Sequence, residues 1–151
     1  MLFRSMSEAV FAKAKAEGAN AVVVSAAIES DLVEMAMDER LAFLEEMGLH
    51  ETGLARVIRS GYDLLHLITF FTVGPKEARA WTVEKGSKAP QAAGAIHSDF
   101  ERGFIRGETI AYDDYIALNG ESGARDAGKL RQEGKEYVIK DGDVLHFKFN
   151  V

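Results

Sequence analysis

The spacing of apolar residues changes near Leu67, and this change constrains the fold more than any other feature of the 151-residue sequence. Before Leu67 the apolar residues recur every three or four positions, as on one face of an amphipathic helix. After it they tend to alternate with polar residues, which is typical of half-buried strands. We therefore predict a mostly helical domain at residues 1–66 and a domain of strands and short helices at residues 67–151.

The first half is predicted to contain one strand among helices. The valines of NAVVVSA, residues 20–26, predict a strand that is buried on both faces, as in a parallel sheet. Helices are predicted around it at residues 8–18, 30–48 (with a break near Asp38) and 52–67. A parallel strand needs partner strands, and this half supplies none. The pattern is therefore that of part of an α/β fold.

The second half is predicted to fold as a small α+β unit. LITFFTV and ARAWTV flank a turn at Gly74–Pro75, which predicts a β-hairpin. Asp141–Gly142 lies between two further apolar runs and predicts a second hairpin at the C-terminal end. Between the hairpins we predict a short helix, a strand, a brief helix and an irregular segment, at residues 89–100, 103–112, 113–118 and 123–130.

Composition excludes several classes of function. The chain has no cysteine, which rules out disulfides, thiol catalysis and Cys-ligated metal sites. Its four histidines are scattered and lack metal-ligand spacing, so no metal site is expected. No run reaches the roughly 18 apolar residues of a membrane span. The N-terminus lacks the apolar core of a signal peptide, so we expect a cytoplasmic protein.

Two stretches imitate catalytic motifs without predicting an enzyme. GARDAGKL fits the G-x-x-x-x-G-K spacing of a phosphate-binding P-loop, but Leu130 follows Lys129 where Ser or Thr would hold magnesium. No buried strand precedes it either. His97 with Asp99 suggests acid–base chemistry. No suitable nucleophile lies nearby, so a histidine that hydrogen-bonds the backbone at a helix end is the favoured interpretation.

Charge is distributed unevenly along the chain. Residues 1–66 carry 6 Lys/Arg against 11 Asp/Glu, a balance of −5, and residues 67–151 carry 12 against 13, a balance of −1. The cations of the second half are also clustered. Such clusters form either a solvated surface or a surface that contacts nucleic-acid phosphates. The candidate contact residues for RNA or the ribosome are Lys85, Lys88, Arg102, Arg106, Lys129, Arg131 and Lys135.

Several long stretches resemble one known family. RAWTVEKGSKAPQAAGAIH, followed by DFERGFI, and AGKLRQEGKEYVIKDGDVLHFKFNV resemble the C-terminal TGS domain of the YchF/Obg-like ATPase family. VVVSAAIESDL and GLARVIRSGYDLLHLITFFT resemble the end of that family's G domain, and the resemblance extends from about Gly18 onward. It implies an α+β chain, with a ubiquitin-like β-grasp (TGS) domain at 67–151. A helical or α/β remnant of a P-loop G domain would precede it at 1–66.

The resemblance also implies a function. A complete family member would be a ribosome-associated ATPase that uses ATP (or GTP) and magnesium. Ser25, Ala26 and Ala27 would form a remnant of the G5-like loop, whose backbone approaches the nucleotide base, although family members often have Lys in place of Ala27. The P-loop, switch regions and base-specificity loop would lie upstream. We therefore expect a truncated or partial gene product, with no catalytic residues or cofactor, that binds the ribosome or structured RNA.

One alternative to RNA binding stays open. A β-grasp sheet exposes a face and an edge, so the second half would also suit a protein–protein docking module with no nucleic-acid role. The incomplete first half is expected to self-associate, because Val22, Val24 and Leu54 would lack cover. No membrane partner is expected.

Overall fold

Helices form the first part of the chain and a sheet organises the second, with the division between Leu65 and His66. The computed structural model describes the backbone of residues 2–150 and the side chains of residues 6–150. The predicted combination of helices with a sheet is confirmed.

The described residues of the first unit form four helices. These are α1 (Leu2–Ala16), α2 (Ala26–Glu34), α3 (Met37–Glu46) and α4 (Gly53–Leu64). The single helix expected at 30–48 is divided between α2 and α3, and the interruption falls just before the break that we expected near Asp38. Gly18 and Gly48 follow α1 and α3 with φ of +67° each, a left-handed conformation that favours glycine after a helix.

The strand predicted at residues 20–26 is wrong, because residues 19–25 form neither strand nor helix. A strand exists only where a neighbour accepts its backbone hydrogen bonds. The described part of the first unit contains no strand that could pair with it. Val23 and Val24 are accordingly 56% and 45% exposed.

The second unit is built on a mixed sheet with the strand order β2-β1-β5-β3-β4. The strands are β1 (Leu67–Val73), β2 (Ala78–Glu84), β3 (Phe104–Ala111), β4 (Arg131–Glu133) and β5 (Asp143–Phe149). β1 and β5 run parallel at the centre, and the other neighbours are antiparallel. The predicted β1–β2 hairpin is confirmed.

Four short helices complete the second unit: α5 (Ala89–Ile96), α6 (Ser98–Arg102), α7 (Tyr112–Ala117) and α8 (Glu121–Asp126). α5 lies on one face of the sheet, where Ala89, Ala92 and Ala93 are fully buried. Because these side chains are small, the helix approaches the strands closely. The core formed there includes Phe70 and Phe147, whose rings meet edge to face.

Two predictions for the C-terminal part of the second unit are wrong. Residues 137–140 form only an isolated bridge to Lys88, so there is no hairpin around Asp141–Gly142. The Asp141 carboxylate instead accepts the backbone N–H of Thr69 at 2.8 Å, which ties the turn to β1. The segment at 123–130, expected to be irregular, begins inside α8. Strand β4 has three residues, too few for an alternating pattern to show in the sequence.

Candidate nucleic-acid interface

The seven predicted contact cations are carried by different elements of the second unit. Lys85 and Lys88 lie between β2 and α5, Arg102 ends α6, Arg106 is in β3, Lys129 follows α8, Arg131 begins β4, and Lys135 follows β4. The structure links Lys88 to the segment that holds Lys135, because Lys88 bridges Val138 and its ammonium contacts Glu136. The candidates therefore do not form a single row along one element.

Five of the seven cations are paired with carboxylates. The pairs are Lys88–Glu136, Arg102–Asp99, Arg106–Glu108, Lys129–Asp114 and Arg131–Glu133. Lys85 and Lys135 are exposed and make no ion pair with any residue that the structure describes. Exposed ion pairs contribute about 0–1 kcal/mol, so most of these cations remain free to exchange a carboxylate for a phosphate.

Arg131 differs from the other candidates because it lies beside a buried carboxylate. The side chain of Asp143 is 3% exposed and accepts hydrogen bonds from the Tyr137 hydroxyl at 2.7 Å and the Lys140 backbone N–H at 2.9 Å. Arg131 donates to the Tyr137 hydroxyl at 3.2 Å and lies 3.7 Å from Asp143. Its charge therefore compensates a buried anion, which favours a structural role.

Burial and hydrogen bonding shift the ionisation of this cluster. Burial, the largest cause, and the hydrogen bond to Asp143 together raise the pKa of Tyr137 to about 12. Burial alone would lower the pKa of Arg131. Its hydrogen bonds to Glu133 and Tyr137 and the charge of Asp143 outweigh burial, so the pKa of Arg131 lies above its ordinary value. The cluster keeps a neutral phenol between two opposite charges.

His97 is a helix cap. Its Nδ1 accepts the backbone N–H of Asp99 at 3.1 Å, at the first turn of α6. A hydrogen bond from Arg102 holds the pKa of Asp99 below its ordinary value. This geometry agrees with the structural interpretation of His97 made from the sequence. No group of three His, Asp or Glu residues that could hold a metal occurs among the described residues.

GARDAGKL is the end of a helix and its cap. The Lys129 backbone N–H donates to the Ala124 carbonyl at 2.7 Å, whereas a P-loop directs such N–H groups at phosphate. A Cβ added to Gly123 would lie 1.9 Å from the Leu118 carbonyl oxygen. Gly123 is therefore required by local packing, and the spacing of the motif is coincidental.

The predicted G5-like loop lies at the start of α2. The Ser25 hydroxyl accepts the Ile28 N–H at 3.4 Å and caps the helix, while Ala26 and Ala27 form its exposed first turn. Farther along α2, the Glu29 carboxylate accepts the Gly53 N–H at 2.6 Å, at the N-terminus of α4. The polar groups near this loop therefore stabilise two helix ends.

One charged group of the sheet was missed by sequence reasoning. β3 and β5 pair so that Arg106 lies opposite Lys148 and Glu108 lies opposite His146. Glu108 is 3.8 Å from Arg106 and 3.5 Å from Lys148. Alternation along β5 puts His146 and Lys148 on one face, but only the strand pairing shows that Arg106 joins them.

Comparison with known proteins identifies related chains. Residues 67–150 match the family model YchF-GTPase_C, described as "Protein of unknown function (DUF933)". The "Ribosome-binding ATPase YchF" of Haemophilus influenzae is 59% identical over 135 residues, which cover 89% of this chain and 37% of that protein. The protein of the same name from Bacillus subtilis is 57% identical over 138 residues, covering 91% and 38%.

A solved structure is similar in fold. The Schizosaccharomyces pombe YchF GTPase superposes with a TM-score of 0.71 at 40% identity, over 87% of this chain and 34% of that one. The chain therefore spans well under half the length of the relatives that it matches. Within the described residues, no helix is long and apolar enough to cross a membrane.

Proposed function

This chain belongs to the YchF-GTPase_C family, and from that premise we propose that it corresponds to the C-terminal part of a ribosome-associated, nucleotide-binding ATPase. In this proposal residues 1–66 are the end of a G domain. Residues 67–151 are a TGS domain with a ubiquitin-like β-grasp fold. The parallel β1–β5 pair at the centre of the sheet and α5 across one face support that fold.

The proposed activity of the chain is binding to the ribosome or to structured RNA. The observation that carries it is 59% identity, over 89% of the chain, to a protein named as a ribosome-binding ATPase. The exposed cations of the second unit supply charge that phosphates would recognise, and Lys85 and Lys135 have no ion pair to give up. A ribosomal partner also favours a cytoplasmic location.

Nucleotide chemistry is assigned to longer family members. ATP (or GTP) and magnesium would be held there by a P-loop, and GARDAGKL does not provide one. In this chain only the loop of Ser25, Ala26 and Ala27 is assigned to the nucleotide base, and no residue is assigned to catalysis or metal binding. Isothermal titration of the 151-residue chain with Mg-ATP is expected to give no binding, and micromolar affinity would contradict the proposal.

Cosedimentation with purified ribosomes tests the binding activity. At low salt the chain should pellet with ribosomes, and added salt should release it steeply, because phosphate contacts release counterions. A variant that changes Lys85, Lys88, Arg102, Arg106, Lys129 and Lys135 to Glu should weaken retention. Lys76→Glu is the control for a charge outside this set, since Lys76 is also exposed and belongs to no ion pair of the described residues. Absence of retention, or retention that ignores the six-residue variant, would reject this activity.

Protein docking is a second candidate, favoured by the position of β2 at an edge of the sheet. This strand has seven residues and, among the described strands, pairs only with β1, so it lies where a partner strand could add. β4, at the other edge, has three residues. Strand addition responds weakly to salt, whereas phosphate contacts respond strongly, so a salt titration separates the two candidates.

We also propose that the first unit self-associates through α4. Leu54, Val57 and Ile58 recur at helical spacing and are 62%, 46% and 53% exposed. A stripe of this kind is covered in most stable proteins. Sedimentation velocity should show association that grows with concentration and weakens in Ile58→Ser. A chain that stays monomeric at high concentration would contradict it.

A further inference from the structure

We infer that the face of the sheet opposite α5 binds single-stranded RNA. We call it the distal face and define it by the side chains of Phe71, Arg106, Glu108, Tyr112, His146 and Lys148. The inference rests on the proposed RNA-binding function and locates its contact surface. It selects Arg106 from the seven predicted cations and adds Lys148, which the sequence did not single out.

Strand alternation assigns the β1, β3 and β5 residues of this set to the distal face, and a ring contact with Phe71 places Tyr112, the first residue of α7, beside them. Phe70, Leu145 and Phe147 belong to the core under α5. Successive side chains of a strand point to opposite faces, so Phe71 and Lys148, their neighbours in sequence, point away from α5. The pairing of Arg106 with Lys148 places the two cations side by side there.

The ion pairs of the distal face contain more cations than carboxylates, unlike the other ion pairs of the unit. Arg106 and Lys148 share one carboxylate, that of Glu108, at 3.8 and 3.5 Å. In the other ion pairs of the described second unit, a Lys or Arg has a carboxylate of its own, as in Lys129–Asp114, or two, as Arg131 has. One cation at this site is therefore left for an external anion.

An aromatic pair stands at the other end of the distal face. The rings of Phe71 and Tyr112 are 5.7 Å apart, and Tyr112 is 48% exposed. Phe71 lies opposite Val144, four residues before Lys148 in β5. At about 3.3 Å per residue the aromatic pair and the cations are about 13 Å apart. A surface that combines an exposed ring with cations suits single strands, because unpaired bases stack on the ring and phosphates meet the charges.

Two comparisons favour this surface and this ligand. Around α5, the cations Lys85 and Lys88 have Trp81 as the nearest aromatic in sequence, but its indole N–H is bonded to Thr72 and Arg79 covers its ring at 4.2 Å. The Trp81 side chain is therefore already engaged by Thr72 and Arg79 and is less available for base stacking. Bases in a duplex are stacked on each other and cannot lie flat on Tyr112, so a single strand is favoured over double-stranded RNA.

Fluorescence anisotropy of a labelled oligouridine tests the inference on the whole 151-residue chain. A length of about 12 nucleotides lies within the site sizes of known single-strand binders. The distal-face variant Arg106→Gln/Lys148→Gln is compared with the matched variant Lys85→Gln/Lys135→Gln, and an RNA duplex of the same length is the competitor. We expect only the distal-face variant to lose about 0.7 from the slope of log K against log salt, since the one cation in excess at this site accounts for one phosphate contact and each contact contributes about 0.7 for single strands.

Single substitutions keep the test valid if the half-buried Arg106 is needed for folding. Lys148→Gln alone should reduce the slope by about 0.7. Tyr112→Ala should weaken binding about fivefold or more, whereas Tyr112→Phe should keep it, because stacking needs the ring and not the hydroxyl. Circular dichroism of each variant verifies the fold.

Three outcomes overturn the inference. If Lys85→Gln/Lys135→Gln loses affinity while the distal-face variant binds normally, the contact surface includes those two lysines instead and the proposed function survives. If the duplex competes as well as the single strand, the ligand class is wrong. If the unsubstituted chain binds neither oligouridine nor ribosomes at low salt, the proposed function fails as well. If the chain then binds a protein at the β2 edge and the binding does not depend on salt, the docking candidate is supported.

Discussion

The two units of this chain bury their apolar residues to very different extents. Among the described side chains, two of the fifteen buried hydrophobic residues lie in the first unit, Leu32 and Leu44, and thirteen lie in the second. Fourteen of the eighteen exposed large hydrophobic side chains lie in the first unit. The difference shows that the sheet and α5 form a core of their own, whereas the helices of the first unit leave much of their apolar surface uncovered.

The difference follows from how each kind of element buries its apolar surface. A sheet covered by one helix gathers side chains from several strands into a single core, as Ile68, Phe70, Leu145 and Phe147 do here. An amphipathic helix buries only a stripe, and it needs another element along that stripe. We therefore expect the second unit to be stable by itself and the first unit to depend on association.

The largest expected effect is that of a cavity in the second unit. Phe70 is fully buried and contacts Phe147, so Phe70→Ala should lower the free energy of unfolding by about 3–5 kcal/mol. Trp81 is the only tryptophan of the chain and lies against this core, so urea unfolding followed by its fluorescence reports on the second unit.

The matched substitution in the first unit is Ile58→Ala, where the side chain is 53% exposed. In the monomer this change should alter the free energy of unfolding by about 0.5 kcal/mol or less. A cost comparable to that of Phe70→Ala at low protein concentration would show that Ile58 is covered, and the contrast between the two units would fail.

Two glycines, one in each unit, differ in the space available for an added methyl group, and this difference tests the contrast in packing between the units. A Cβ at Gly123 would lie 1.9 Å from a backbone oxygen, so Gly123→Ala should cost about 2–3 kcal/mol. A Cβ at Gly61, inside α4, meets nothing within 4 Å, and Gly61→Ala should stabilise α4 by about 0.5–1 kcal/mol. Circular dichroism during thermal unfolding measures both. Equal effects of the two changes would contradict the difference in packing.

Most of the second unit could be predicted from the sequence because its elements are encoded locally. The β1–β2 hairpin follows from two alternating runs around Gly74–Pro75, and α5 follows from a run of small residues. The pairing of β5 could not be predicted in this way. Asp141–Gly142 favours a hairpin, but the hydrogen bond from the Thr69 N–H to Asp141 joins residues 72 positions apart and directs the turn towards β1.

The strand predicted at residues 20–26 of the first unit is absent for a different reason. The valines at 22–24 are correct for a buried strand, but a strand forms only with a partner, and the first half of the sequence predicts none. The arrangement of charges on the distal face also depends on strand pairing, which the sequence pattern does not specify. Its cations were visible in the sequence, whereas the sharing of Glu108 by Arg106 and Lys148 depends on the register of β3 and β5.

An intermediate effect is expected at the phenol inside the second unit. Tyr137→Phe removes the hydrogen bond to the buried Asp143 and should cost about 1–2 kcal/mol at neutral pH. The pKa of Tyr137 is raised to about 12 in the folded state, above its ordinary value near 10. The folded state therefore favours the neutral phenol, and this contribution to stability is complete below about pH 10.

The same contribution should disappear as the pH rises from about 10 through 12. Unfolding free energies of the unsubstituted chain and of Tyr137→Phe, measured across this range, should therefore converge. A constant difference between the two proteins at all pH values would show that Tyr137 titrates normally. It would also remove the argument that Arg131 compensates a buried cluster.

The smallest expected effect concerns the exposed ion pair between Asp99, in the first turn of α6, and Arg102, its last residue. Arg102 is the largest cause of the lowered pKa of Asp99, so Arg102→Gln should return that pKa towards its ordinary range. Because the folded-state pKa is depressed, the pair stabilises the fold above the ordinary pKa and loses this contribution as the pH falls through the folded-state value. The carboxyl carbon of Asp99, followed by NMR during an acid titration, measures the change. In the first unit, Lys13→Gln removes another surface pair, that with Glu17, and should change the free energy of unfolding by about 0.5 kcal/mol or less. A large loss of stability from either substitution at neutral pH would mean that surface charge, rather than the buried core, separates the two units.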